Sequence, residues 1–201
     1  MPELAGFNTV IKISGAPTSM TGEATTTADD TAYQIAEVTK QVLDRDTAPT
    51  VLDGGVATAE AYTVNYLSGT VTFETADGDR VITITGKYLP MTVAAYANQS
   101  SQSYNCDVKD VPVFGAEYKK RIPTLKYASG SLTQFNIADT TYSDALVAGD
   151  PIVIEHRAIS TDEPNRFWAL LNSDELQSAI DGVQAEVVTW ISTDAWLRLS
   201  V

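Results

Sequence analysis

The run YTVNYLSGTVTF (residues 62–73) decides the fold class. On either side of Ser68-Gly69, β-branched and aromatic residues alternate with polar ones, the period-2 pattern of a strand with one buried face. Ser68-Gly69 is a turn signal, so strands over residues 61–67 and 70–74 are expected to form a hairpin. Residues 80–88 continue the pattern after a second turn signal, ADGD. The prediction is a three-stranded meander over residues 61–88.

Strand patterns also dominate outward from this run. They cover residues 7–14, 151–158, 167–171 and 185–201, while residues 32–42 are ambiguous between strand and helix. A helix is predicted over residues 110–122, with Asp110 as its cap and Pro123 at its end. A second, shorter candidate follows Ser173 over residues 173–180. Residues 18–31 and 44–60 are interpreted as long loops.

These elements predict a mainly β protein. The expected architecture is a β-sandwich or open barrel with one short flanking α-helix and long loops. The 201 residues, 44% of them hydrophobic, suffice for one sizeable core. No internal repeat or linker separates two halves, so a single domain over residues 1–201 is predicted.

The charge of the chain restricts its partners. With 26 acidic and 13 basic residues it has a formal net charge of −13, and such a surface repels the phosphate backbone of DNA at close range. A protein that grips DNA is disfavoured, whereas one that must avoid adhering to DNA is compatible. No signal-peptide pattern is visible, and no apolar run approaches the ~20 residues of a membrane span. We expect a soluble protein made in a cytoplasm.

Candidates for catalysis are few. His156, the one histidine, lies in a predicted strand beside Glu155, and successive strand residues point to opposite faces. With Cys106 as the one cysteine, the sequence has too few parts for a triad, a zinc site or an internal disulfide. We expect no enzymatic activity, no metal and no cofactor.

Two acidic pairs resemble the start of a calcium loop. Asp44 with Asp46, and Asp77 with Asp79, have the Asp-x-Asp spacing, but the further oxygen ligands of such a loop do not follow. Both pairs are interpreted as turn residues.

A basic run could bind phosphate. Lys119, Lys120 and Arg121, with Lys126 nearby, are concentrated in one segment of an acidic chain. Bases also complement the C-terminal end of a helix, and here they could pair with acids on a neighbouring copy. Helix-end or subunit contact is favoured over nucleic-acid binding.

The aromatic residues leave one further function open. Trp168, Trp190 and Trp196, with nine tyrosines, could form a carbohydrate platform. In a β-rich domain such residues more often belong to the core or to subunit interfaces. The residues alone therefore support a structural or binding module.

The order of several motifs resembles that of phage tail tube proteins, also called major tail proteins. Asp110, Phe114-Gly115, Pro123, Leu125 and Ser129-Gly130-Ser131 are similar to that family's Asp-x-Thr-x-Phe-Gly segment, short helix, basic position and Ser-Gly-Ser strand. Val111-Pro112-Val113 departs from the family, where threonine is common. The remaining matches, in chain order, are Thr21-Gly22-Glu23-Ala24, Tyr33-Gln34-Ile35, Val42-Leu43-Asp44, Val51, residues 62–73, residues 85–90 and residues 187–193.

The resemblance implies a fold and a function. Tail tube proteins are β-sandwich-like, form hexameric rings that stack into a tube, and let genome DNA pass through the lumen without specific binding. It further implies assembly with tape measure, tail terminator and distal tail or baseplate proteins, no membrane contact, synthesis in the host bacterial cytoplasm, and a place in the virion.

Site residues follow from this resemblance as expectations. Thr70, Thr72 and Glu74 are expected to face the lumen, with Val71 and Phe73 facing the core. Residues 44–60 are expected to form the ring-stacking loop. The subunit-interface and ring-stacking candidates are Asp44, Arg45, Asp46, Asp53, Asp110, Phe114, Lys119, Lys120 and Arg121.

Two other interpretations of the function stay open. One is another virion β-protein, such as a head decoration protein or a tail terminator. Another is a carbohydrate-binding or adhesin-like β-module that uses the tryptophans and tyrosines.

Overall fold

The computed structural model describes residues 10–94, 97–111, 120–135, 141–157, 164–177, 184–194 and 197–198. By their internal contacts these residues fall into two compact units, which we call the N-terminal unit (Lys12–Val93) and the C-terminal unit (Ala94–Arg198, together with residues 10–11).

Strands account for most of the described residues. In chain order they are β1 (Val10–Ser14), β2 (Thr18–Thr27), β3 (Ala32–Ile35), β4 (Thr50–Asp53), β5 (Val56–Ala57), β6 (Tyr62–Asn65), β7 (Thr70–Phe73), β8 (Ile82–Tyr88), β9 (Met91–Val93), β10 (Ala97–Val111), β11 (Lys120–Phe135), β12 (Ile152–Arg157), β13 (Asn165–Gln177), β14 (Ala185–Ser192) and β15 (Leu197–Arg198). One α-helix, α1 (Thr141–Ala148), and a 3₁₀ turn, Val38–Lys40, complete the described elements. The predicted fold class, mainly β with one short α-helix, is confirmed; the strands form two antiparallel sheets, one of them a half-barrel.

The N-terminal unit contains a seven-stranded sheet in the order β5-β4-β8-β2-β3-β7-β6. Outside this sheet, β1 pairs antiparallel with β9, from Lys12 opposite Val93 to Ser14 opposite Met91. The core of the unit comes from apolar positions that alternate along these strands. Its members are Met20, Tyr33, Ile35, Leu43, Val51, Val71, Phe73, Ile82 and Ile84.

The hairpin predicted from residues 61–74 is present. β6 and β7 pair antiparallel, with Tyr62 opposite Phe73 and Asn65 opposite Thr70. Gly69 closes the turn with a φ of +64°, and a β-carbon there would lie 2.6 Å from the carbonyl oxygen of Gln41. Both constraints require glycine, so the Ser68-Gly69 turn signal has a local steric cause.

The pairing predicted for the third strand of the meander is wrong. β8 forms where it was expected, but it pairs with β2 on one side and β4 on the other. β7 pairs with β3 and β6 instead. The error arises because β2, β3 and β4 come from earlier in the chain, and sequential proximity does not reveal such pairings.

The C-terminal unit is built on long antiparallel strands in the order β10-β11-β14-β13-β12, with β15 on β13. Its buried side chains include Leu132, Val153, Phe167, Val188 and Trp190. α1 packs against β13, with Tyr142 buried. The helix ends at Gly149, whose φ is +70° and whose N–H donates to the Ala145 carbonyl at 3.0 Å, an αL cap.

Both helix predictions are wrong where the structure tests them. Asp110 and Val111 belong to β10, and residues 120–122 belong to β11; residues 112–119 lie outside the described residues. Ser173 lies within β13 rather than capping a helix, and residues 178–180 are outside the described part. In both segments cross-strand pairing overrides a cap-like residue followed by polar helix formers.

The loop predictions also need correction. Residues 18–27 form β2, in which seven of ten residues are exposed, so its threonines show no apolar alternation. Thr21-Gly22-Glu23-Ala24 is a β-bulge opposite β8, with Gly22 at φ +62°. Residues 44–60 contain β4, which is paired with β8 and buries Val51. The proposed stacking loop is therefore partly a core segment.

Candidate self-assembly surface

The β10–β11 hairpin extends beyond the sheet of the C-terminal unit. β14 pairs with β11 only from Ser129 to Phe135. Residues 105–111 and 120–127, which we call the ribbon, pair only with each other in the part of the chain that the structure describes. Pro123 lies in the ribbon opposite Val108, and a proline within a strand is tolerated where one side has no ladder.

Neither face of the ribbon is buried. Opposite partners share a face, and faces alternate along the strands. Val108 and Pro123 are opposite one another, and Lys109 is opposite Ile122 in the next row. Val108 is 59% exposed, Ile122 43% and Leu125 73%. A two-stranded ribbon exposed on both faces is at best marginally stable in water, so these apolar side chains are available to a partner.

The ribbon has a net positive charge, opposite in sign to that of the whole chain. It has four bases, Lys109, Lys120, Arg121 and Lys126, and two acids, Asp107 and Asp110. Four minus two gives +2, against −13 for the whole chain. The basic run is thus on a projecting β-ribbon, and the predicted setting at a helix end is wrong for Arg121.

The predicted interface residues of this segment have different settings. Arg121 Nε lies 3.1 Å from Asp110 Oδ1 across the ribbon, with both side chains exposed. Such an exposed pair contributes ~0–1 kcal/mol and is screened by salt. The backbone of Lys120 belongs to β11, while Phe114 and Lys119 lie outside the described residues.

Some interface candidates of the N-terminal unit form hydrogen bonds within the chain. Asp44 is 6% exposed; its carboxylate accepts from the Asp46 N–H at 3.1 Å and from Thr47 Oγ1 at 2.9 Å, confirming that it is a turn residue. Asp53 accepts from the Val81 N–H at 3.1 Å. Arg45 is half-buried and Asp46 is exposed. Of these four, Asp46 is the most available to a neighbour.

The residues expected to face the lumen have the alternation predicted for them. Val71 and Phe73 are buried, whereas Thr72 and Glu74 are exposed. Thr70 is half-buried, with its Oγ1 2.8 Å from Ser68 Oγ. Thr72 and Glu74, with Ala61, Tyr62, Thr63 and Phe73, line a surface cavity of about 160 Å³.

Four segments at the ends of strands in the N-terminal unit bring acids together, a feature that the sequence analysis missed. We call them the acidic turns, and their members are Asp29, Asp30, Asp53, Glu60, Asp77 and Asp79. The Asp77 N–H donates to the Asp30 carbonyl at 3.2 Å, and Arg80 lies between Glu60 at 2.6 Å and Asp77 at 3.7 Å. Asp-rich turn signals were visible in each segment, but their convergence depends on non-local strand pairing.

Two side chains at the acidic turns, Tyr33 and Asp29, have shifted pKa values. Burial, followed by the charges of Asp30, Asp77 and Asp53, raises the pKa of Tyr33, although Arg80 opposes this. The Tyr33 hydroxyl donates to the Asp77 carbonyl at 2.8 Å. Hydrogen bonds from the Ala32 N–H and then from Thr31 lower the pKa of Asp29. Its hydrogen bonds thus favour the ionised form of the Asp29 carboxylate.

His156 and its sequence neighbour Glu155 lie on opposite faces of β12. Glu155 is buried and faces Arg166, at 2.7 Å, and Arg157, at 3.0 Å, while His156 lies between them in sequence on the opposite face of β12. This confirms the predicted divergence of Glu155 and His156. Burial lowers the pKa of His156.

The aromatic platform is contradicted for two of its three tryptophans. Trp168 is 6% and Trp190 3% exposed, so both are core residues as favoured above; Trp196 lies outside the described residues. Tyr33 and Phe73 form an edge-on pair with ring centroids 5.8 Å apart. These rings serve the cores of the two units.

No three His, Cys, Asp or Glu side chains among the described residues are grouped to hold a metal ion. None of their helices has the length and hydropathy needed to cross a membrane.

No protein-family model and no curated protein matches the chain. Among solved structures, it is similar to a chain of the virion of a native gene transfer agent particle, with a TM-score of 0.48 and 13% identity, over 55% of this chain and 89% of that one. It is also similar to a chain of the tail of an empty gene transfer agent particle refined with C6 helical symmetry. That match has a TM-score of 0.49 and 13% identity, over 55% of this chain and 87% of that one.

Proposed function

We propose that this chain is a structural tail protein of a phage-like virion that self-assembles into stacked hexameric rings. The rings form the tube through which genome DNA passes during ejection. The observation that carries the proposal is the ribbon, which exposes apolar side chains on both faces and is paired only with itself among the described residues. A protomer gains stability by covering such a surface with a neighbour.

The order of the sequence motifs supports the tail assignment. They resemble those of tail tube proteins over nearly the whole chain. The β-rich content and the strongly acidic composition are compatible with that resemblance. A net charge of −13 disfavours adhesion of a passing duplex. In this role the chain has no catalytic function and meets tape measure, terminator and distal tail or baseplate proteins.

Thr70, Thr72 and Glu74 are proposed to face the lumen. Their support is the outward direction of Thr72 and Glu74 on β7. Glu74 contributes a negative charge and the threonines contribute hydroxyls. A DNA duplex would therefore meet a hydrated surface on which these three residues offer no cation to bind its phosphates.

Electron microscopy of the purified protein in negative stain tests the proposal. Rings with six-fold symmetry or tubes are expected. Replacing residues 105–127 with an Asn-Gly turn should leave both units folded by circular dichroism but abolish rings and tubes. A wild-type protein that stays monomeric at high concentration and binds glycans would instead support the carbohydrate-binding module, while unstacked rings would support a terminator or a decoration protein.

Cys106 provides a second readout. It is the single cysteine, it is exposed, and it lies in the ribbon opposite Lys126. A soluble thiol reagent should modify it rapidly in dispersed subunits and slowly in assembled ones. Equal rates in the two states would remove the ribbon from the proposed interface.

A further inference from the structure

The ribbon needs a partner of opposite charge. Lys109 and Lys126 are exposed and form no ion pair within the described part of the chain. Arg121 is paired only with an exposed residue of the same ribbon. A partner must therefore offer acids as well as cover for Val108, Ile122 and Leu125.

The acidic turns have the complementary excess. Their six acids have a single base among them, Arg80. That base is engaged by Glu60 and Asp77, lies 4.3 Å above the ring of Phe73, and has a side chain only 4% exposed. Asp79 and Asp30 are exposed.

We infer that the ribbon of one copy docks on the acidic turns of a second copy. This inference rests on the proposed self-assembly and names its contact surfaces. In the proposed rings each copy offers its ribbon to one neighbour and its turns to another, which makes the contact heterologous. Heterologous contacts propagate into rings or filaments rather than closing as dimers.

Charge reversal tests this inference with two variants. The ribbon variant is Lys109→Glu with Lys126→Glu. The turn variant is Asp79→Lys with Asp30→Asn, because Asp30 has a φ of +58°, which asparagine tolerates. Neither Asp79 nor Asp30 has a side-chain partner in the described part of the chain. Lys87→Glu and Asp150→Lys change exposed charges elsewhere and serve as controls.

Light scattering measures the concentration at which assembly begins. Each variant is expected to raise it at least about tenfold, since each loses several complementary charges at one contact. A chain with both variants should regain part of the loss, because the new carboxylates of the ribbon would meet the new ammonium group at position 79. The controls should stay within about threefold of wild type.

Three results would overturn the inference. If the ribbon variant fails to assemble while the turn variant assembles normally, the ribbon docks elsewhere and the proposed function stands. If the ribbon variant assembles normally but loses retention of duplex DNA, the bases serve DNA rather than a second copy. If wild type does not assemble at any concentration, the proposed function and the inference fall together.

Discussion

The indole of Trp190 lies so close over Gly130 that a β-carbon at position 130 would come within 2.5 Å of the indole Cζ2 atom. The two residues are opposite one another in the β11–β14 ladder, and Trp190 is 3% exposed. The same β-carbon would also meet the carbonyl oxygen of Ser101 on β10. Gly130 of the Ser-Gly-Ser motif is therefore required by packing on one side and backbone approach on the other.

Gly130→Ala is expected to lower the free energy of unfolding by ~1–3 kcal/mol, because the added methyl group displaces the indole or separates the strands. Urea unfolding followed by tryptophan fluorescence measures the loss. Gly15→Ala is the matched control, since its methyl group would meet Pro90 at an ordinary 3.5 Å. Equal stability of the two variants would contradict the steric role of Gly130.

Glu155→Gln should destabilise the C-terminal unit strongly. Glu155 is fully buried between Arg166 and Arg157. Arg166 is itself only 3% exposed, so removing the negative charge of Glu155 would leave a buried guanidinium without that counter-charge. Loss of one partner of a buried pair costs ~3–5 kcal/mol. Denaturant unfolding provides the measurement, with Glu175→Gln, an exposed position on β13, as control. Adding Arg166→Met to Glu155→Gln should recover part of the loss; a further loss would contradict the pairing.

Stability should fall on acidification through the titration of His156. Burial lowers the pKa of His156 in the folded state, so between that pKa and the unfolded value of ~6.5 the unfolded chain binds the proton more readily. The corresponding stability is present above pH ~6.5 and is lost as the pH falls through the folded-state pKa. His156→Gln should flatten the dependence of the urea midpoint on pH between about 7 and 5. Since the chain has one histidine, an unchanged slope would count against this residue.

Glu74→Lys should slow or block DNA ejection without preventing tube assembly. Glu74 is exposed beside buried Phe73, so the change spares the core, while a ring of lysines would hold the phosphate backbone. Ejection from particles with the variant measures the effect, with microscopy of the tails to confirm assembly. Glu74→Gln is the control that removes charge without adding a cation. Normal ejection by the lysine variant would exclude Glu74 from the lumen.

The parts of the fold that could be predicted from the sequence are local. The hairpin of β6 and β7 followed from the alternation of residues 62–73 and from the turn glycine Gly69, whose φ is +64°. The pairing of β8 with β2 and β4 could not be predicted, because a strand pattern does not specify its neighbours. β2 was missed since its threonines are mostly exposed and show no apolar period.

The helix was sought in the wrong segment for a related reason. Asp110 and Pro123 match the signals of a helix start and end, yet they lie on the two strands of a β-ribbon, Asp110 opposite Arg121 and Pro123 opposite Val108. The sequence of α1 does contain residues typical of helix ends, namely Thr141 and Asp144 at its start and Gly149 after its end. However, its apolar residues show little helical periodicity, because the helix is only weakly amphipathic. The basic run was placed in a contact segment by composition alone, whereas the acidic turns required tertiary structure to find.

The ribbon also bears on when assembly begins. Ordering its backbone costs ~1–2 kcal/mol per residue, and a lone copy has little with which to offset that cost. Two free copies that meet must both order their ribbons, whereas a copy that reaches a growing end finds one already ordered. In the proposed assembly, a surface that favours elongation would impose a nucleation barrier, and subunits would accumulate in dispersed form until a template supplied the first ordered end.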